Sequence, residues 1–408
     1  MNVHQPSPAS SREISEQKPG ASRGLVLLLI AMTALGPLSL NILVPAVPGL
    51  VSKLATDAGS VQLTISLYLL GLAGAQLVLG PLSDRFGRRP VVLAGLALTV
   101  VASVAAIAAS SIGSLIIARV GQALGASTGL VIGRAIIRDL VDRERTASMI
   151  GLVSTVMAVA PMVAPLIGGI LDTAFGWESI FILIAALSAV VLGWALLVLP
   201  ETRPKRVREA STFWPDLRAL LGTPSFIGYV LSGAFASAAF FTFLGGAPHV
   251  VVTMMGRTSA EYGIWFVVNS IGYIAGAFIT SRRASRYGVD RMIRWGLLLQ
   301  LIIGLTAVVL SDALFWLGPA VIFIPQTLIS FGNGIVISNA VAAAVSVRPE
   351  VAGTASGISG FVQMALGAAV AQFAGWVVAG ASTALPMTLT VVGVSLAGVT
   401  AFALLVRR

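Results

Sequence analysis

Apolar residues fall along this chain in long blocks of about twenty, separated by short segments that hold nearly all of the charge. Within a block the apolar positions neither alternate at a period of two nor confine themselves to one helical face. Hydrocarbon offers no hydrogen-bond partner, so a segment crossing it must be a helix or part of a closed barrel. Without the alternation of barrel strands, the blocks predict helices. Twelve spans are expected, over roughly 24–46, 60–82, 91–110, 113–133, 148–171, 179–199, 224–247, 261–281, 292–310, 315–340, 353–378 and 384–406. The fold class is therefore an all-α integral membrane protein.

The segment before the first block, "MNVHQPSPASSREISEQKPGASR", is polar and of mixed charge, and the apolar run after it is too long for a signal-peptide core. A disordered cytoplasmic tail over residues 1–23 is the expectation. Composition agrees with the pattern: 57% of the 408 residues are hydrophobic and 10% charged, against about 25% charged in soluble domains.

Charge sets the orientation. With both termini in the cytoplasm, all of the 26 basic residues except Lys53, Arg257 and Arg119 fall in the tail or in inner loops. The net charge of +10 is thus spread along one membrane face, which argues against a nucleic-acid partner and for contact with membrane lipids. Cysteine is absent, and histidine occurs only at His4 and His249. No disulfide, thiol nucleophile or metal cluster follows, and neither paired acids nor a nucleotide loop is present, so neither an enzyme nor a bound cofactor is expected.

The longest inner segment, residues 200–223, divides the chain into a six-helix bundle over 24–199 and a second over 224–408. "DRFG" at 84–87 and "SRYG" at 285–288 follow the second helix of each half, the mark of a parallel repeat.

"GPLSDRFGRRP", residues 80–90, places one carboxylate and three guanidinium groups between two long apolar blocks. Gly80 and Gly87 permit close approach or unusual dihedrals, Pro90 can begin the next helix, and Asp84 lies where arginines or a helix N-terminus can compensate it. A simple orienting loop or an electrostatic latch would both use these residues. The stretch resembles motif A of the major facilitator superfamily, matched by Gly80, Leu82, Asp84, Arg85, Gly87, Arg88 and Arg89. The resemblance implies two six-helix bundles and a latch that locks their cytoplasmic side and releases as the carrier alternates. "LIIARVGQALGA" (115–126) is similar to the family's helix 4 motif with its intramembrane arginine, here Arg119. "APMVAPLIGG" (160–169) resembles motif C of drug exporters, with Pro161, Pro165, Gly168 and Gly169 as the kink, and with Ala160 and Ala164 where many members have glycine. The wider pattern, in "ALGPLSLNILVPAVPGL" (34–50), "RAIIRDL" (134–140) and "AGTASGISGFVQMALGA" (352–368), looks like drug:proton antiporters of the bicyclomycin-resistance type. One departure stands out: Asn41 occupies the region of helix 1 where members commonly carry an aspartate.

All 16 acids fall in the tail, loops or helix ends. Arg119 therefore has no obvious carboxylate partner, and it either faces a polar cavity or reaches toward the outer interface. By depth, Asn41 can meet it, and Gln122 lies one turn along on the same face. Phe240, Phe241, Asn269, Asn333 and Gln363 are the second half's cavity candidates, combining aromatics with a few polar anchors. With no acid inside a span, proton coupling falls to a peripheral carboxylate, Asp84 or Asp172. His249 reads as interfacial.

The reading is a secondary multidrug exporter, an antiporter acting as a monomer on a small-molecule drug-like substrate in exchange for protons, in a bacterial inner membrane. A carrier for one metabolite or sugar, and a receptor or scaffold that does not transport, are the alternatives.

Overall fold

The computed structural model describes residues 22–140, 160–203 and 213–406. The tail, the first part of the expected fifth span and residues 204–212 of the linker lie outside them. Its helices are α1 (Arg23–Ile42), α2 (Val47–Lys53), α3 (Ala58–Phe86), α4 (Arg88–Ile107), α5 (Ile112–Leu140), α6 (Ala160–Phe175) and α7 (Glu178–Val198) in the first half. The second half has α8 (Phe213–Leu221), α9 (Pro224–Pro248), α10 (Ser259–Tyr287), α11 (Val289–Ala313), α12 (Ala320–Val347), α13 (Ala352–Ala379) and α14 (Leu385–Leu405).

Eleven of the described helical stretches are long and apolar enough to cross a membrane, α1 and α2 counting together, and α6 is the described part of one more. The chain is thus a multi-pass membrane protein. Several helices overrun the apolar blocks. α3 continues to Phe86 and α10 to Tyr287, because the charged last turns, with Arg85 and Arg286, remain hydrogen-bonded helix beyond the apolar stretch. Pro45 breaks the first span near its end, where a 3₁₀ turn over Val44–Ala46 joins α1 to α2. The linker is not wholly irregular, since α8 forms within it.

Local signals set the ends. Asp57 caps α3 by accepting the Ser60 amide at 2.9 Å, and Thr258 caps α10 by accepting the Glu261 amide at 3.1 Å. Both helices have 29 residues and both end on a glycine with positive φ, Gly87 at 100° and Gly288 at 82°. The second helices of the two halves are therefore built alike, which gives the short "DRFG" and "SRYG" match a structural meaning.

In the first half α5 packs on α1, α3 and α4, and α7 packs on α4 and α1. In the second, α9 lies against α12, α13 and α14, while α11 lies against α12 and α14. Lipid is as apolar as leucine, so these contacts depend on close packing at small residues. Gly129 of α5 is one such position: a Cβ there would run into the Met32 carbonyl of α1, beside a bond from Thr33 Oγ1 to the Gly129 oxygen at 3.2 Å. The halves meet along α3 and α13 and at the helix ends remote from the arginines, where Pro45, Asp172 and Ser259 come together.

Replacing Gly129 by leucine should force α1 and α5 apart and lower the stability of the detergent-solubilised protein by about 2 kcal/mol, the cost of overpacking a tight contact. Tryptophan fluorescence during heating would measure it, and an unchanged transition would contradict the close approach.

Candidate functional site

Arg119 lies in the interior of the first bundle and is completely buried. Its Nη1 donates to the Ser39 carbonyl of α1 at 2.9 Å and to Gln122 Oε1 at 3.0 Å, and its Nε donates to the Thr64 carbonyl of α3 at 3.3 Å. The guanidinium carbon stands 4.1 Å from the centre of the Tyr68 ring, whose face carries the negative part of the quadrupole. Tyr68 in turn donates its hydroxyl to the Gly36 carbonyl at 3.0 Å, and Gln122 donates to Ser103 Oγ of α4 at 2.7 Å. One cation thus joins α1, α3, α4 and α5 through carbonyl oxygens, an amide and an aromatic face.

The expected Asn41–Arg119 contact is not made. Asn41 donates its side-chain amide to the Pro37 carbonyl at 2.8 Å, one turn back in its own helix. Depth along a helix can be counted in sequence, but the rotation that aims Asn41 into α1 cannot. Arg119 Nη2 and Asn41 Oδ1 are buried without a hydrogen-bond partner among the described residues. The interior therefore retains one cationic donor and one amide acceptor.

In the second half, Phe240 and Phe241 lie with their ring centres 5.5 Å apart, and Phe240 reaches Phe266 at 6.1 Å. Tyr262 contacts Phe266 at 5.9 Å and Phe323 at 5.6 Å, so α9, α10 and α12 share an aromatic cluster. Asn269 accepts from Ser330 at 2.6 Å, and Asn333 accepts from Gln300 at 2.8 Å. Both amides are buried and join α12 to its neighbours. Gln363 accepts from Ser237 at 3.4 Å. Phe240 and Phe241 are thereby brought together, while Asn269 and Asn333 serve separate helix pairs. His249 opens a π-helical turn, His249–Met254, at the end of α9.

The seam between halves is built at the motif C segment. Ser259 Oγ lies 2.7 Å from Asp172 Oδ2 and 3.0 Å from the Pro45 carbonyl, and the Ala260 amide donates to Thr173 Oγ1 at 3.3 Å. Glycines allow this approach: a Cβ at Gly168 would strike the Ile42 carbonyl and one at Gly169 the Ser259 carbonyl. Gly263 likewise lies against the Pro165 backbone. Pro161 begins the described part of that helix beside Ala160.

At the arginine-rich end, Arg88 pairs with Asp84 at 2.6 Å and with Asp139 at 3.2 Å. Its backbone amide and that of Arg89 donate to Glu201 at 2.9 and 3.1 Å, and Arg89 Nη2 reaches the Leu196 carbonyl at 2.9 Å. Arg85 lies over the Phe86 ring at 5.2 Å. Gly80 is open to its surroundings, whereas Gly87 has no room for a side chain beside Glu201. The hydrogen bonds and ion pairs of this segment among the described residues stay within the first half, tying α3, α4, α5 and the end of α7.

Tyr68, Ser259 and Glu201 were not singled out in the sequence. Glu201 had a usable signal, an acid directly after the last apolar block of the first half. Tyr68 and Ser259 have none, since a span tyrosine and a capping-region serine are ordinary.

A family model, the Major Facilitator Superfamily, matches residues 29–372. A bicyclomycin resistance protein homolog of Haemophilus influenzae is 27% identical, covering 84% of this chain and 86% of its own. A chloramphenicol resistance protein of Pseudomonas aeruginosa is 32% identical over 82% of this chain and 79% of its own. Multidrug resistance protein D of Escherichia coli is 28% identical over 83% and 85%. Among solved structures, a bacterial homolog of the human lysosomal transporter Spinster superposes with a TM-score of 0.72 at 16% identity, over 93% of this chain and 94% of that one, which is agreement of fold.

Glu201 gives a pH test. Partial burial pushes its carboxyl upward, but the backbone amides of Arg88, Arg203 and Arg89 stabilise the carboxylate and hold it below the usual 4.5. A depressed carboxyl stabilises the fold above its unfolded value and loses that contribution as pH falls through its folded value. Glu201→Gln should therefore melt earlier than wild type at neutral pH, by about 1 kcal/mol as for a lost helix cap, and the two curves should converge well below pH 4.5. Equal melting at neutral pH would remove Glu201 from the network.

Proposed function

The chain belongs to the Major Facilitator Superfamily, and from that premise we propose that it is a secondary active exporter of small amphipathic compounds, antibiotics among them, which it exchanges for protons by alternating access. It would act as a monomer in a bacterial inner membrane with both termini cytoplasmic, an orientation that the arginine-rich helix ends support. The observation that carries the reading is the distribution of contacts between halves. One end is held shut by the Ser259 seam, while the motif A network at the other is bonded within its own half. Such a molecule is closed outside, and opening outward requires that the seam's hydrogen bonds break together with the Gln372–Gly59 bond and the nearby packing of α3 on α13. Relatives named for resistance to chloramphenicol, to bicyclomycin and to multiple drugs, aligned over most of the chain, support drug-like substrates.

The seam supplies a place for the proton. Ser259 has a single hydroxyl hydrogen but faces two acceptors, Asp172 and the Pro45 carbonyl. With Asp172 ionised, one acceptor is left unmet. With Asp172 protonated, its O–H donates to Ser259 Oγ, and the serine donates to Pro45, so each group is satisfied. The closed seam then binds a proton more firmly than the open one, so protonation from outside favours closure, and exchange requires that this proton leave to the inner side before the seam reopens. Lys53 and Glu178 are the charged neighbours that act on Asp172.

Arg119 keeps its charge near neutral pH and does not itself deliver the proton. Together with Gln122 and Asn41 it would bind an electron-rich substrate group through the donor and acceptor left free, against the Phe240 and Phe241 aromatics. Asn269, Asn333 and Gln363 would hold the second half's wall of the cavity. Gly80, Asp84, Arg85, Gly87, Arg88 and Arg89 would act as the latch when the inner side closes, with Pro161, Pro165, Gly168 and Gly169 as the motif C kink.

Export into everted vesicles, with proton and sodium gradients collapsed separately, tests the proposal. Loss of export on collapsing the proton gradient alone, and competition among unlike lipophilic compounds, are expected; strict selection of one hydrophilic solute would overturn it. Arg119→Ala should abolish export and Arg119→Lys retain little, because lysine lacks the planar donor fork.

Asp172→Asn tests the seam separately. The asparagine donates to Ser259 at any pH, so the outer side should stay closed and turnover fall, with a flattened pH profile. A wild-type profile in that variant would exclude Asp172 from coupling.

A further inference from the structure

Between α11 and α14, at the arginine-rich end, lies a groove of about 330 Å³. Its walls are apolar, with Leu297, Leu298, Val399 and Phe402 among them, and its mouth carries Asp290 and Arg294. Tyr287 and the exposed Trp295 pair with ring centres 5.4 Å apart beside it, the kind of aromatic pair that sits at headgroup level.

The two charges at the mouth lie four residues apart on one helix, acid first, the order that favours an intrahelical ion pair. They form none among the described residues. Asp84 and Arg88, with the same spacing in the first half, do pair at 2.6 Å. Asp290 instead accepts the Tyr229 hydroxyl at 2.8 Å, which holds its carboxylate against α9, and Arg294 is exposed. The mouth thus offers a carboxylate and a guanidinium, separately, above an apolar slot.

The first half shows what closes the matching corner there. Gly87 and Gly288 have nearly the same backbone, with φ and ψ of 100° and 153° against 82° and 148°. A Cβ on Gly87 would meet Glu201, whose carboxylate fills that corner, while one on Gly288 would meet nothing within 4 Å. Among the described residues α14 reaches Val406 without supplying an acid, and a hollow of about 350 Å³ remains beside Gly288.

We propose that this groove binds a zwitterionic aminophospholipid, with the phosphate on Arg294, the primary ammonium on Asp290 and an acyl chain between α11 and α14. Both charges of the mouth are then answered by one ligand. An anionic headgroup would answer the arginine and be repelled by the aspartate, and a quaternary choline would lack N–H groups for the carboxylate.

Native mass spectrometry of the full chain, delipidated and titrated with phosphatidylethanolamine, phosphatidylcholine and phosphatidylglycerol of identical acyl chains, tests this. Phosphatidylethanolamine should bind about tenfold more tightly than either of the others, as one charge-assisted hydrogen bond implies. Arg294→Ala should reduce that binding by a similar factor, Asp290→Asn should turn the preference toward phosphatidylglycerol, and Val399→Trp should fill the slot and abolish binding of all three. Equal binding of the three lipids to wild type, or binding unchanged in both Arg294→Ala and Val399→Trp, would overturn the proposal. So would a site that takes up lipid only after residues 1–21 are removed, since the tail would then be the occupant.

Discussion

A guanidinium buried in an apolar bundle must be solvated by the protein itself, and the first half of this molecule is arranged around that demand. Arg119 has no carboxylate within reach of an ion pair among the described residues. Its charge is met by the carbonyls of Ser39 and Thr64, the amide of Gln122 and the face of Tyr68. Carbonyls inside a helix are already bonded once, and their second lone pair is available only if another helix comes very close. That proximity depends on small residues. Gly36 lends its carbonyl to Tyr68, Gly129 lets α5 touch α1, and Gly125 lies against Thr99 and the Gly95 carbonyl. The positions of α1, α3, α4 and α5 are thus fixed by one cation together with the glycines that admit it.

The contacts between halves are of another kind. Within each half many helix pairs lie against one another along much of their length, whereas the halves meet along α3 and α13 and, at the ends remote from the arginines, through a handful of hydrogen bonds around Ser259 and from Gln372 to the Gly59 carbonyl, each worth roughly 1 kcal/mol net. A seam of that strength can be opened by a ligand with modest preference for the other state. The rigidity of the halves and the weakness of the joint are complementary requirements for a carrier. A charged core that holds one bundle as a unit allows the bundle to move without reorganising.

The spans were legible because burial in lipid writes itself into block length: the apolar runs and the helices coincide, apart from charged ends such as Arg85 and Arg286 that remain helical. The fold family was legible in the motif A residues and in the arginine of "LIIARVGQALGA". Contacts were less so. Asn41 and Arg119 lie at compatible depths, but Asn41 is turned toward Pro37, since counting residues gives height and leaves azimuth open. Asn333 looked like a cavity amide and is bonded to Gln300 of the neighbouring helix. A polar residue inside a span must find a partner, and the sequence does not say whether the partner is a substrate or a helix. The Ser259 seam was hidden for a related reason, because its parts come from three distant segments.

The internal repeat separates what the fold needs from what each half adds. Both halves keep a 29-residue second helix and a positive-φ glycine after it, but Asp84 and Arg88 of the first half stand where the second has Ser285 and Val289. In the first half the arginine is turned inward, buried and bonded to Asp84, Asp139 and Ser83, and Glu201 closes the turn. In the second half Asp290, two residues after the glycine, accepts from Tyr229, and Arg294 is exposed. Nearly the same turn therefore carries a closed electrostatic network in one bundle and exposed charge in the other. The difference follows from the residue after the glycine: Arg88 is met there by Asp139 on α5 and by Glu201 after α7, whereas the second half has the apolar Val289 at that place. The charge of the first half is directed at holding its own helices together, and that of the second at the surrounding membrane.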